Sequence, residues 1–232
     1  MESGPLPVRL APALSGICAT LRPLGGLVGR FVFVSLAWLS LSSAAGAQTF
    51  TATWKNPAGG NITYAGRKVV GLIVSNDMAL RQSTEEALAR ELTAKGVRGI
   101  PAYQMIPKEE IRDKDRAKAW FERSDTAGVV LMRLVDMSKE TRPTVIAWES
   151  APYYGSLWGY YPYAWGVTFD LTPNKTTVTV AVETLVFDVK GNKLLWAGTS
   201  QTSDAKDAQD LVKKLVNAAA EQMRKDGLIR RN

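Results

Sequence analysis

The sequence predicts an α/β domain in which helices pack on a mixed sheet, and three patterns lead to this expectation. Residues 68–75 form a nearly continuous apolar run that is typical of a strand buried on both faces, and residues 128–137 form a second apolar run that predicts a strand. Apolar residues at helical spacing lie between them, which favours parallel strands joined by helical crossovers. The second half alternates apolar and polar residues and then turns back, which is typical of an antiparallel hairpin.

The first strand and the first helix carry clear local signals. Residues 68–75 read K-V-V-G-L-I-V-S and predict a buried strand. In the helix that follows, Ser83 and Glu86 have the spacing of a capping box, in which each side chain satisfies an unpaired backbone amide. Leu88 and Leu92 then face inward at helical spacing, and a left-handed glycine after the helix is expected to end it.

The next elements complete a β-α-β-α-β order. Residues 97–104 predict a second strand, and Pro107 suits the first turn of a helix over 108–123. Residues 128–137, G-V-V-L-M-R-L-V-D-M, predict a third strand.

The second half predicts extended segments over residues 143–149, 166–171 and 176–188. The last of these alternates, so it is expected to be a half-exposed antiparallel strand with Glu183 on its polar face. Residues 190–192 predict a turn, and 193–202 return as the hairpin partner.

A final amphipathic helix is expected to begin near Ser203 or Asp204 and to end at Gly227. Its predicted buried stripe comprises Leu211, Val212, Leu215, Val216, Ala219 and Met223. These elements together predict a single α/β domain over residues 68–232.

Residues 151–166 read A-P-Y-Y-G-S-L-W-G-Y-Y-P-Y-A-W-G and interrupt this pattern without a single charge. Glycine and proline at this density break helix and strand periods, so the segment is predicted to be a loop insert. Its large aromatic side chains are the candidate partner-binding residues: Tyr153, Tyr154, Trp158, Tyr160, Tyr161, Tyr163 and Trp165.

Several interpretations of these aromatic residues stay open at this point. The rings would fold back over an open sheet face, or the loop would have no defined partner. Alternatively they would contact another protein, stack on sugar rings or insert at a lipid interface. Among the binding roles, contact with a protein is the leading expectation, because tyrosine and tryptophan are favoured interface anchors.

The N-terminal region predicts export. Residues 31–41 form a short apolar run behind Arg30, and an A-x-A pattern ends at Ala47. Residues 1–47 are therefore expected to be a signal peptide cleaved after Ala47, and 48–67 an extended leader whose Trp54 docks on the core. The only cysteine, Cys18, would be lost and lacks a lipidation setting, so a periplasmic or secreted protein without a lipid anchor is expected.

Composition argues against several chemistries. The chain has no histidine and one cysteine, which disfavours histidine-based triads, thiolate catalysis and thiolate metal sites. No glycine-rich phosphate-binding turn follows a strand, so no cofactor and no metal are expected. The formal net charge of +7 comes from basic residues interleaved with acids, which disfavours nucleic acid but permits attraction to anionic cell-wall polymers and peripheral membrane contact.

The carboxylates offer one catalytic alternative. Glu85 and Glu86 are expected in the first turn of the first helix, where acids complement the helix dipole. Glu149 and Asp170 flank the aromatic segment and would form the paired acids of a glycoside hydrolase if they faced each other across a sugar cleft.

The chain resembles a family of small bacterial envelope proteins, many of them lipoproteins, classed as a domain of unknown function. The resemblance covers residues 69–229 and rests on the buried first strand, T-E-E-A-L-A-R-E-L at 84–92, the aromatic insert, K-L-L-W-A-G-T-S at 193–200 and the closing helix. It is also similar in layout to periplasmic domains of outer-membrane lipoproteins that activate cell-wall synthases or build secretion channels. The resemblance implies an envelope location without catalytic residues, and this chain departs from it by lacking a lipidation cysteine.

These observations predict a non-catalytic periplasmic protein that binds another envelope component, a protein foremost, through residues 153–165. A cell-wall glycan hydrolase or glycan-binding protein that uses Glu149, Asp170 and the aromatic residues is the alternative. A structural protein of envelope assembly or stress is a third hypothesis.

Overall fold

The computed structural model describes residues 50–59, 63–135, 144–168, 180–202 and 207–227. Its centre is a six-stranded sheet in the order β1-β6-β5-β4-β2-β3. The strands are β1 (Phe50–Lys55), β2 (Lys68–Val74), β3 (Arg98–Pro101), β4 (Gly128–Val135), β5 (Val180–Asp188) and β6 (Lys193–Thr202). Strands β3, β2 and β4 are parallel, whereas β5, β6 and β1 join them by antiparallel pairing.

Helices cover both faces of this sheet. They are α1 (Met78–Ala94), α2 (Ala102–Met105), α3 (Lys114–Arg123), α4 (Val145–Ser150), α5 (Leu157–Gly166) and α6 (Ala208–Lys225). Alternate residues of the strands point to opposite sides, so two hydrophobic clusters form. One cluster lies beneath α1 and α6, and the other lies beneath α2, α3, α4 and α5.

The predicted fold class is confirmed: the protein is a mixed α/β structure with a β-α-β-α-β half, an antiparallel hairpin and a C-terminal helix. Gly96 has a φ of 87° after α1, and Gly227 has a φ of 70° after α6, as left-handed helix stops require. The stripe predicted for the last helix is also confirmed, since Leu211, Val212, Leu215, Val216 and Ala219 are buried and Met223 is half-buried.

Part of the segment 48–67, which was predicted to be an extended leader, forms strand β1 of the sheet. Within the segment 48–67, β1 pairs antiparallel with β6 and forms one edge of the sheet. Trp54 packs, half-buried, against the cluster beneath α4 and α5, as the leader prediction required.

Several helix boundaries differ from prediction because side-chain caps outside the predicted spacing define them. Helix α1 begins at Met78, where Asp77 accepts a hydrogen bond from the backbone N–H of Leu80, so the predicted capping box lies inside the helix. Helix α3 begins only at Lys114 behind the cap Asp113, and α6 begins at Ala208 behind Asp207. The predicted strand over 97–104 is shorter, because the chain turns into α2 after Pro101.

Several predictions about the second half were wrong, and one of them is the extended segment over 166–171, because Gly166 is the last residue of helix α5. The expected strand over 143–149 is a helix where the structure describes it: α4 starts behind Thr144, whose hydroxyl accepts from the N–H of Ala147. The expected half-exposed strand is buried on both faces over residues 181–187, because α4 and α5 cover the side on which Glu183 lies. The described residues do not include residues 1–49, which contain the predicted signal peptide. They also do not include residues 170–171, residues 176–179, Ser203 and Asp204.

The prediction that residues 151–166 form a loop was also wrong, because residues 157–166 form helix α5. The Ser156 hydroxyl accepts from the N–H of Gly159 at the start of this helix. Its buried residues are spaced i, i+3, i+4 and i+7, which is the helical period: Leu157, Tyr160, Tyr161 and Ala164. Burial of this stripe outweighs the helix-breaking tendency of Gly159 and Pro162.

Within the described residues, no helix is both long enough and apolar enough to cross a membrane.

Glu85 fixes α1 against the ends of the parallel strands. It lies in the middle of α1 and not in its first turn, and its side chain is fully buried. One carboxylate oxygen accepts from the N–H of Ile73 at 3.2 Å, and the other accepts from the N–H of Tyr103 at 2.7 Å. Burial outweighs these bonds and the Arg81 guanidinium 3.6 Å away, and it raises the pKa of Glu85 from 4.5 to about 7.

This raised pKa predicts a stability loss near neutral pH. Folding takes up a proton wherever the folded-state pKa exceeds the unfolded-state pKa, so the stability contributed by protonated Glu85 is complete at low pH and lost as pH rises through about 7. We expect the free energy of unfolding to fall by about 3 kcal/mol between pH 4.5 and pH 8 relative to Glu85→Gln.

The measurement is urea denaturation of both proteins across this pH range. The window is free of histidine titration because the chain contains no histidine. Parallel stability curves for the two proteins would show that Glu85 titrates as an ordinary carboxyl group.

Candidate functional site

A buried ion pair lies at the centre of the sheet face beneath α4 and α5. Arg133 of β4 and Glu183 of β5 are direct cross-strand partners in the antiparallel register. The Arg133 Nε atom lies 2.7 Å from Glu183 Oε2, and the two side chains are 1% and 0% exposed. An ion pair removed from water in this way persists only if further hydrogen bonds compensate the lost hydration.

The helices supply those hydrogen bonds. Trp148 of α4 donates its indole N–H to Glu183 Oε1 at 2.9 Å, and the Tyr154 hydroxyl donates to the same oxygen at 2.7 Å. The Tyr160 hydroxyl donates to Oε2 at 2.5 Å and accepts from Arg133 Nε at 2.7 Å. Two donors at each oxygen use the acceptor capacity of the carboxylate, so Glu183 is a structural anchor without a free acceptor position for a substrate.

The two tyrosines remain hydrogen-bond donors at any physiological pH. Burial, with the neighbouring Glu183 carboxylate as the next cause, raises the pKa of Tyr154 and of Tyr160 well above the ordinary value of a phenol. Their neutral hydroxyl groups therefore hold the segment 154–160 to the sheet permanently.

An aromatic layer extends from this anchor towards the surface. Tyr154 stacks on Tyr160 with ring centroids 5.1 Å apart, and Tyr153 stacks on Tyr163 at 4.4 Å with an interplanar angle of 25°. The Arg133 guanidinium lies 5.3 Å from the centroid of the Tyr163 ring, in a cation–π contact. The layer is thus built of rings that fix one another.

The tryptophans join a second part of this layer. Trp158 contacts the buried ring of Phe121 edge-on at 5.6 Å and lies 5.6 Å from Tyr161. Trp165 lies 6.3 Å from Tyr161, whose hydroxyl donates to the carbonyl of Ile111. These contacts connect α5 to α3 and to the turn before it.

The structure divides the seven predicted site residues into two groups. Tyr154, Tyr160 and Tyr161 are at most 2% exposed, so they form the interior of the protein and present no surface to a partner. Four rings are half-buried and keep part of their surface exposed: Tyr153, Trp158, Tyr163 and Trp165. We call these four rings the aromatic surface, and a binding role for them stays a prediction.

The helix before the aromatic surface adds exposed aliphatic side chains. Ile146 is 75% exposed and Val145 is 37% exposed, and they are the exposed large hydrophobic residues in the described part of the chain. Both belong to α4, whose Trp148 is bound to the Glu183 anchor. An exposed isoleucine on a helix that is fixed in this way is available for contact with another molecule.

The predicted pair of catalytic carboxylates is only half described. Glu149 is exposed, and its Oε1 accepts from the indole N–H of Trp54 at 3.2 Å. Asp170 lies outside the described residues, so the separation of the two carboxylates is not defined. Among the residues that the structure describes, no group of three or more Asp, Glu, His or Cys side chains is arranged to hold a metal ion.

Arg133 and Glu183 were not predicted as a buried ion pair, although the sequence contains a signal for it. Each is the one charged residue in the interior of a strand that is otherwise apolar or uncharged. Opposite charges in two neighbouring buried strands are expected to pair, because burying an unpaired charge has a large free-energy cost. Assigning Glu183 to a solvated strand face concealed this pairing.

No protein-family model matches the chain, and its sequence has no significant match among the characterised proteins compared. Two similar solved structures are PelC dodecamers from Paraburkholderia phytofirmans, each 12% identical to this chain. A point variant of PelC matches with a TM-score of 0.42 over 73% of this chain and 95% of that chain. The other structure matches with a TM-score of 0.40 over 78% of this chain and 99% of that chain. The resemblance to envelope proteins of unknown function stays a prediction.

Removal of the Glu183 charge should destabilise the whole domain. In Glu183→Gln, the buried Arg133 guanidinium loses its counter-ion, and an amide N–H₂ group faces donors that previously met a carboxylate oxygen. We expect the free energy of unfolding to fall by about 3–5 kcal/mol, as for other broken buried ion pairs.

The matched control is Glu149→Gln, since Glu149 also accepts from a tryptophan N–H but at an exposed position. It should change the free energy of unfolding by less than about 0.5 kcal/mol. Urea denaturation at pH 7 measures both variants, and equal small effects would contradict the anchor role of Glu183.

Proposed function

We propose that the protein is a non-catalytic component of a bacterial cell envelope that binds another envelope protein through the aromatic surface. The observation that carries this proposal is that four partly exposed aromatic rings are braced by buried rings and by the Glu183 anchor. The envelope location rests on the predicted signal peptide of residues 1–47 and on the family resemblance.

Pre-organisation is what makes these rings suitable for binding. Tyr163 is held by the stacked ring of Tyr153, and Trp158 is held by Phe121 and Tyr161. A side chain that is already fixed loses little conformational entropy when a partner binds, so more of the contact free energy appears as affinity. Tyrosine and tryptophan are also the residues that contribute most to binding at protein interfaces.

Exposed aliphatic side chains on α4, the helix that precedes the aromatic surface along the chain, also favour a protein partner. Ile146 and Val145 add aliphatic area on α4, next along the chain to the turn that holds Tyr153. Aliphatic and aromatic side chains together are typical of the core of a protein interface, where charged residues are depleted.

The carboxylates support a non-catalytic role. Glu183 is saturated with donors and has no contact with solvent, so it is not placed to exchange a proton with a substrate. Glu149 is exposed and bound to Trp54. A retaining or inverting glycosidase needs two carboxylates facing one sugar cleft.

Site-specific photo-crosslinking in cells tests the proposal. A photoreactive phenylalanine would replace Trp165 or Ile146 in turn, with Ala79 as the matched control because it is exposed on α1, on the other face of the sheet. We expect one discrete protein adduct of the same size from both test positions and none from Ala79.

A second variant, Tyr163→Ser, connects the adduct to the rings. It should reduce the yield at Ile146 by about ten-fold, since it removes one anchor and releases Tyr153. Adducts with cell-wall fragments in place of protein would favour the glycan-binding alternative. Adducts from Ala79 as strong as those from Trp165 would contradict a role of the aromatic surface.

A further inference from the structure

One end of the sheet collects positive charge, and the proposed protein contact does not use it. The strand register places a row of residues across the sheet at the end where the parallel strands begin: Arg98, Lys68, Gly128, Asp188 and Lys193. Helix α1 ends here because it leads into β3. Helix α6 also ends here, since its C-cap Asp226 accepts hydrogen bonds from Trp196 of β6 and Lys55 of β1.

Six cations at this end are exposed to solvent: Arg67, Lys95, Arg98, Lys190, Lys193 and Arg224. None of the six forms an ion pair with another residue that the structure describes. Three further cations have partners: Lys55 and Lys68 donate to backbone carbonyls, and Lys225 pairs with Glu221 at 2.9 Å. We call the six unpaired cations the basic end.

The acids near the basic end do not neutralise it. Four of them already have donors within the protein: Glu122, Asp188, Glu221 and Asp226. Asp125 is exposed and Glu91 is half-buried, and neither has an ion pair with a described residue. Six unpaired cations therefore stand against two unpaired acids, and the potential over this end is positive.

Helix dipoles account for only part of this charge. Lys95 and Arg224 lie at the C-terminal ends of α1 and α6, where a cation complements the helix dipole. The other four cations lie in the loop before β2, at the start of β3 and around the hairpin between β5 and β6. Like charges gathered at one end repel one another and contribute nothing to folding, so a binding partner explains them better.

The basic end is an extended surface and not a pocket for one small anion. From β3 to β6 it crosses four strand spacings, which is roughly 19 Å. Lys95 and Arg224 lie to one side of this row, at the ends of the two helices that cover that face. In the described part of the chain the large exposed hydrophobic residues, Val145 and Ile146, belong to α4, so the basic end offers charge without an apolar wedge.

We propose that the basic end binds the anionic head groups of a phospholipid bilayer, with the strands standing on the membrane surface. A plane of negative charge contacts all six cations together, and the absence of exposed large hydrophobic residues among them keeps the contact at the level of the head groups. The aromatic surface then faces sideways, because α4 and α5 cover a face of the sheet and not this end. The inference does not depend on the proposed protein contact.

Co-sedimentation with vesicles tests the proposal. The protein, purified after export from cells, is mixed with vesicles of phosphatidylcholine with or without phosphatidylglycerol. We expect it to pellet only with phosphatidylglycerol, at about 0.1 M salt, where the Debye length is about 10 Å. It should be released at about 1 M salt, where the Debye length is about 3 Å.

Two double variants locate the contact. Lys190→Gln with Lys193→Gln should weaken vesicle binding about 25-fold, because each basic residue near an anionic membrane contributes about five-fold. The matched control is Lys108→Gln with Lys213→Gln, which removes the same charge from exposed positions after α2 and in the first half of α6. The control should change binding less than about two-fold.

A third double variant, Arg67→Gln with Arg98→Gln, tests the other side of the row and should also weaken binding about 25-fold. All of these positions are outside the core, so the thermal unfolding midpoint should not change. Every variant keeps the same N-terminal segment, so any insertion of that segment into vesicles cancels in the comparison.

Three results would overturn the proposal. The first is the absence of pelleting with phosphatidylglycerol vesicles, and the second is an equal loss of binding in the control and in the two basic-end variants. The third is retention on immobilised polyglutamate without binding to vesicles, which would assign the basic end to a soluble anionic polymer. None of these results concerns the crosslinks from Trp165 and Ile146, so failure here is distinguishable from failure of the protein-binding proposal.

Discussion

The arrangement of one whole side of the molecule depends on the carboxylate of Glu183. It receives donors from β4, from α4, from the turn after α4 and from α5, so one residue fixes four segments of the chain. A carboxylate at this depth is tolerated only with its counter-ion and with every lone pair occupied. Hydrogen bonds to Glu183 therefore fix the buried aromatic side chains. Ring stacking then positions the partly exposed Tyr153 and Tyr163.

The parallel half of the fold could be predicted from the sequence because its signals are local. The run 68–75 is nearly continuous and rich in β-branched residues, and the glycine at 96 stands where a left-handed helix end is needed. The closing helix shows its buried stripe directly in the spacing of Leu211, Leu215 and Ala219. In these elements the local preference and the tertiary contacts favour the same structure.

The aromatic segment and its anchor could not be predicted because tertiary contacts override local preference there. Gly159 and Pro162 disfavour a helix, but Tyr160 and Tyr161 gain enough from burial to impose one. Likewise, Glu183 alternates with apolar residues as a solvated residue would, and only the strand register shows that Arg133 lies opposite. Both errors arise where residues distant in sequence decide the structure.

The pairing of β1 with β6 has a consequence for how the chain is made. The Thr51 hydroxyl donates to the carbonyl of Thr199, a contact between residues 148 positions apart. Strand β6 therefore leaves the ribosome long after β1, and the edge of the sheet closes only when nearly the whole chain has been synthesised. Until then β5 presents an unpaired edge, and open edges of this kind template aggregation. The nascent protein thus depends for its solubility on whatever shields that edge before its last strand arrives.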